Sequence, residues 1–153
     1  MTNEPLQALV RELSDREAIR ELVNRYAHCV WKKCSAAAVD LFAEDGEMDT
    51  GDRPVIKGQK ALRESYEQML GTADLQPFVH NHLISLRGDE ATGTCYLDLR
   101  ASIDGESMIG SGYYEDEYVR VEGRWKFRRR KLTMYYLVPL REGWADRPPN
   151  SAR

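Results

Sequence analysis

The chain is 153 residues long, 42% hydrophobic and 31% charged, which is enough for one domain with a core that needs no disulfide or metal staple. Its 22 Lys+Arg against 25 Asp+Glu, a net charge of −3, argue against a general nucleic-acid binder, which is usually basic. No apolar run approaches the ~20 residues that span a bilayer, and Met1-Thr2-Asn3-Glu4-Pro5 lacks the basic and apolar stretches of a signal peptide. The expectation is a soluble, cytoplasmic domain with no membrane partner, at work in a pocket or an interface.

In chain order, Ser14-Asp15-Arg16-Glu17 reads as a capping box, in which Ser14 accepts an amide of the first turn and Glu17 reaches back to the cap. A helix is predicted behind it, with Ala18, Ile19, Leu22, Val23, Tyr26, Ala27 and Val30 forming one apolar stripe. Residues 4–13 form a preceding turn or short helix. A second short helix, Ala36 to Ala43, ends in the turn Glu44-Asp45-Gly46, and a short strand follows over Gly46 to Thr50. A third helix spans Gly58 to Leu70.

From there the period changes to two. Phe78 to Leu86, Ala91 to Ile103, Ser107 to Val121 and Trp125 to Leu140 read as four long strands. Gly88-Asp89, Asp104-Gly105 and Glu122-Gly123 supply the turns of a hairpin meander. Helices followed by long antiparallel strands predict an α+β domain, residues 1–143, with helices on one face of a sheet. The tail from Gly143, with Arg147-Pro148-Pro149-Asn150, reads as an exposed end.

Several residues carry possible chemistry. Cys29, Cys34 and Cys95 are an odd set without CxxC, a poor zinc signature, and read as core or half-buried thiols. Strand alternation puts His80 and His82 on one face, and no third ligand makes them a metal site. Arg128-Arg129-Arg130-Lys131 alternate two to each face, so the run is not one basic patch. Asp98 reads as one half of a cross-strand ion pair or as a partner for His80. Tyr113 belongs to a set of strand phenols, and Phe42, Met48 and Met134 suit either a hydrophobic pocket or the core. Without GxGxxG or a P-loop, a nucleotide cofactor is unsupported, and none is expected.

The ordered segments Asp15 to Leu22, Tyr26 to Val30, Leu41 to Gly46, Asn81 to Ile84, Ala91 to Gly93, Tyr113 to Tyr118 and Gly123 to Phe127 resemble the NTF2-like superfamily in its SnoaL-like branch. The resemblance implies a cone, in which a strongly curved sheet wraps a long first helix and leaves a blind pocket. It also implies a catalytic Asp–His dyad in the dehydratase and dehydrochlorinase relatives. The Asp position is occupied here by Trp31 and the His position by Pro77, while Tyr26 matches a polar pocket position. Arg130 matches a position where a guanidinium faces the pocket. Trp31 then offers either a flat wall for a ring-shaped ligand or plain helix-end packing.

Two functional expectations follow. One is a cofactor-independent, dehydratase-like lyase or isomerase acting on a small hydrophobic cyclic substrate, with Tyr26, His80 and Arg130 in catalytic roles. Trp31, Phe42, Met48, His82, Asp98, Tyr113 and Met134 would line its site. The other is a non-catalytic ligand-binding protein that lost the dyad; an assembly protein like a dioxygenase small subunit is a further alternative. A homo-oligomer, dimer or trimer, is expected in each case, because an open antiparallel sheet leaves a face to cover.

Overall fold

The computed structural model describes residues 3–146, so the predicted exposure of Arg147 to Asn150 lies outside the described residues. Helix α1 runs without a break over Glu4–Trp31. It starts ten residues before the capping box: Pro5 stands in the first turn, where a missing N–H costs nothing. No breaker interrupts the chain from Leu6 to Ser14, so Ser14 is an interior helical residue. From Ile19 onward Ile19, Leu22, Val23, Tyr26, Ala27 and Val30 are buried, as the stripe predicts.

Helix α2 is the short Ser35–Asp40, and strand β1 begins at once, Phe42–Asp49. Glu44-Asp45-Gly46 is therefore no turn between elements but an irregularity within β1. A Cβ at Gly46 would come within 2.9 Å of Phe42 Cβ and the Ala43 carbonyl, so only glycine lets the strand fold over itself there. Strand β2, Ile56–Lys57, precedes helix α3, Gln59–Thr72. The meander follows as β3 (Ala73–Arg87), β4 (Glu90–Ile103), β5 (Glu106–Val121) and β6 (Arg124–Pro139), closed by a 3-10 turn, Leu140–Glu142. The predicted strands hold to within two residues, except that β1 starts four residues early and β3 five residues early, directly after α3.

The sheet order is β2-β1-β6-β5-β4-β3, with β1 and β6 parallel and every other pair antiparallel. The sheet is curved and unclosed, and α1 packs into its inner face. Ile19, Leu22, Val23, Tyr26 and Val30 meet Leu62, Tyr66 and Leu70 of α3 and Ala91, Cys95, Leu97, Tyr114, Tyr118 and Phe127 of the strands in one core. Asp15 anchors the middle of α1 to the β5–β6 hairpin through Arg120 (2.6 and 3.0 Å) and Trp125 Nε1 (3.1 Å). The described part of the tail, residues 144–146, is exposed, with Trp144 stacked on Tyr136 at a ring-centre distance of 5.7 Å and planes 5° apart.

Candidate functional site

The two positions where the resemblance implied a dyad are neighbours in space. Trp31 closes α1, and Pro77 sits on β3 facing the helix. The indole Nε1–H donates to the Pro77 carbonyl at 2.7 Å, and the Trp31 ring meets Phe78 edge to face at 5.4 Å. An indole only donates, and a prolyl carbonyl only accepts, so this contact holds no transferable proton. Trp31 (41% exposed) and Phe78 (50% exposed) leave much of their faces open. They wall a groove of about 380 Å³ along the α1–β3 seam, completed by Asn24, His28 and Lys32 on the helix and Val79 on the strand.

The two sheet histidines are separated by a bulge. Asn81 takes φ +53, and the pairing with β4 slips between His80↔Tyr96 and Leu83↔Thr94. Two residues, Asn81 and His82, thus stand against Cys95 alone, and alternation is reversed beyond them. The expectation of one shared face fails for that reason. His80 is exposed on the outer face, where its Nε2 lies 3.3 Å from Asp98 Oδ2. Asp98 was expected beside a pocket; it stands on that outer face.

His82 turns inward and is half-buried. Its Nε2 lies 2.9 Å from Tyr118 Oη, and that hydroxyl donates to Asp116 Oδ2 at 2.9 Å. The Tyr118 proton is therefore committed to Asp116, so His82 Nε2–H is the donor and Nδ1 keeps its lone pair. Burial, aided by the Arg130 and Arg20 charges and opposed by Asp116, lowers the His82 pKa and favours neutral imidazole. Gly93 makes the chain possible. A Cβ there would lie 2.7 Å from the Leu83 carbonyl and 3.1 Å from Tyr118 Oη.

The chain ends on Arg130, which is fully buried. Its Nε and Nη2 bind both Asp116 oxygens at 2.8 and 3.0 Å. Tyr114, Phe127 and Tyr26 surround the guanidinium, with ring centres 3.6, 4.4 and 4.5 Å away. Desolvation is the largest single influence and opposes its charge, but the charge and hydrogen bonds of Asp116, with Tyr114 and Tyr26, together raise the pKa. Among the described residues Nη1 has no hydrogen-bond partner and rests on the ring faces. Tyr26 and Tyr66 share a hydrogen bond of 2.6 Å beside it, and burial raises both phenol pKa values.

Apart from His82, half-buried against Tyr118, the residues singled out in the sequence therefore separate into three places. Tyr26, Phe42, Met48 and Arg130 are brought together, but as a filled interior in which they are buried, with Met134 partly buried against it. His80, Asp98 and Tyr113 lie on the outer face, Tyr113 between Tyr96 and Tyr135 in a row with ring spacings of 5.9 and 5.7 Å. Trp31 alone lines the α1–β3 groove. The basic run divides one against three, because a second slip between Glu117↔Arg129 and Tyr118↔Phe127 turns only Arg130 inward. Arg129 instead binds Asp49 at 2.9 Å.

The site residues expected from the sequence include none of Phe78, Tyr118 and Asp116. The hairpin register that pairs Asp116 with Arg130 was the available signal. A larger outer depression of about 510 Å³, lined by Leu83, Thr92, Thr94, Glu117 and Lys131 among others, contains none of the predicted site residues. Among the described residues no cluster of three or more His, Cys, Asp or Glu is arranged to hold a metal ion, and no helix is long and apolar enough to cross a membrane.

Residues 11–131 match a family described as the SnoaL-like domain. A Mycobacterium tuberculosis protein of unknown function superposes with a TM-score of 0.77 at 26% identity, covering 85% of this chain and 77% of its own. A scytalone dehydratase-like protein from Novosphingobium aromaticivorans gives 0.78 at 24% identity, with 91% and 93% covered. A hexachlorocyclohexane dehydrochlorinase, LinA type 2, gives 0.81 at 21% identity, with 92% and 98% covered. At these identities the last two likenesses concern the fold alone. No curated protein matches the chain.

Proposed function

The chain belongs to the SnoaL-like domain family, and from that premise we propose that it is a non-catalytic, small-molecule-binding member. Its ligand is a flat apolar ring compound held in the α1–β3 groove. The observation that carries this reading is the Trp31 Nε1–H to Pro77 carbonyl bond of 2.7 Å. It joins the two dyad positions through groups that exchange no proton, and it fixes the indole as a groove wall. A ring stacked on Trp31 and Phe78 gains apolar contact on two aromatic faces, the arrangement that makes aromatic-lined grooves binding sites.

The test is a titration with naphthalene followed by NMR. The Trp31 indole N–H resonance is expected to shift saturably, and Trp31→Ala is expected to lose the binding. Absence of any shift would end the groove reading. Chemical conversion of the ligand would replace it with the second reading, a lyase or isomerase. That alternative is favoured by one observation: the neutral His82 held by the Tyr118–Asp116–Arg130 chain, the one imidazole with a buried orienting carboxylate behind it. His80 stands exposed beside Asp98 on the outer face, away from that chain.

The same reading includes a homo-oligomer. The outer face carries the row Tyr96, Tyr113 and Tyr135, all partly or largely exposed, and a second copy is the occupant that fits a two-fold, isologous contact.

A further inference from the structure

The two sides of the α1–β3 groove differ in chemistry. Pro77, Phe78 and Val79 of β3 give an apolar side, to which Trp31 adds the end wall. On the helix side Asn24, His28 and Lys32 recur at a spacing of four, which stacks them along one face of α1. Each is exposed and each carries an N–H donor. Among the described residues none of these three side chains is engaged in a hydrogen bond or an ion pair, and no Asp or Glu lines the groove.

The cations on either side of that stripe are treated differently. Arg25 is paired with Glu21 at 3.0 Å, and Lys33 with Asp74 at 2.6 Å. Asp98, which stands opposite Phe78 on β4, lies 3.3 Å from His80 Nε2. Acids close to the seam are thus already engaged, while the Lys32 ammonium over the groove has no counter-charge. The end of a helix carries partial negative charge and by itself opposes an anion. Here the positive φ of Lys33 folds the chain back, and the amides of Lys32, Cys34 and Lys33 donate to the carbonyls of His28, Cys29 and Val30 at 3.0, 2.9 and 3.2 Å. With those acceptors satisfied, Lys32 is the permanently charged group among the described lining residues.

We infer that the α1–β3 groove selects an aromatic carboxylate, its ring against Trp31 and Phe78 and its carboxylate on the Lys32 ammonium and the His28 N–H. This deepens the proposed function and rests on its groove reading. One permanent positive charge matches one negative charge, and a carboxylate attached to a ring lies close to the ring plane, so the ligand stays flat. A phosphate ester brings tetrahedral bulk and a second charge for which the groove has no second permanent cation. An imidazole keeps at least one ring N–H in either charge state, so His28 donates whether or not it is protonated.

The experiment compares 2-naphthoate with its neutral methyl ester and with naphthalene, by NMR titration of the full chain. Wild type is expected to bind 2-naphthoate roughly two- to fivefold more tightly than the ester, as one exposed charge contact supplies. The ester controls for size, so this ratio reads the charge. It is expected to fall towards one between about 0.02 M and about 0.5 M salt, because an exposed contact is screened. It is also expected to be lost in Lys32→Gln, which changes an exposed side chain and leaves the core untouched. Equal affinities for carboxylate and ester in wild type overturn the inference and leave the groove reading intact. A preference that survives in Lys32→Gln or at the higher salt does the same. If none of the three compounds binds, the groove reading itself falls and takes this inference with it.

Discussion

Arg130 shows how much one residue's environment decides. A guanidinium with no solvent contact is tolerated only because Asp116 neutralises it through two bonds and three rings cover its faces. Removing one partner leaves a charge stranded in the core. Asp116→Asn is expected to cost about 3–5 kcal/mol, the usual penalty for breaking a buried pair, measured by urea denaturation. A loss under about 1 kcal/mol, typical of an exposed pair, would show that water reaches Arg130. The same substitution also weakens the acceptor that fixes Tyr118, so the His82 ring should lose its defined tautomer. Arg130 was readable as an inward position only through the family resemblance, since a run of four basic residues with no bulge assumed has no reason to turn one inward.

Among the elements, β3 departs furthest from its sequence pattern. Its length, its β-branched content and its pairing with β4 are legible, but the Asn81 bulge is not. Nothing in Val79-His80-Asn81-His82-Leu83 marks an extra residue except that asparagine tolerates positive φ better than most side chains. Asn81→Gly is expected to be near neutral. Asn81→Val should be destabilising by roughly 1–2 kcal/mol, because a β-branched side chain resists the left-handed conformation. Circular dichroism melts of the two variants test this, and equal melting temperatures would mean that the bulge relaxes without cost. Helix α1 gives the opposite lesson. Its apolar stripe from Ile19 to Val30 was plain, while its true start was hidden by a capping box whose Ser14 and Asp15 favour helix ends but are carried here inside a continuous helix.

At the scale of the whole molecule, the two faces of the sheet have opposite fates. The inner face packs against α1 and α3 around the Arg130 cluster. The outer face keeps Tyr96, Tyr113 and Tyr135 in contact with one another and open to a partner. If a second copy covers that row, Tyr113→Glu should shift sedimentation velocity from dimer to monomer without altering the melting temperature by more than a few degrees. An unchanged sedimentation coefficient would remove this face from the assembly. The sequence by itself determined the class of fold and the order of elements, because hydrophobic period and turn residues are local properties. Only the tertiary structure decided which residues meet. In a strand of period two, one bulged residue exchanges the faces of every position beyond it: the bulge in β3 parts His82, beside Tyr118, from outward His80, and a second bulge in β6 sets Arg130 against Asp116.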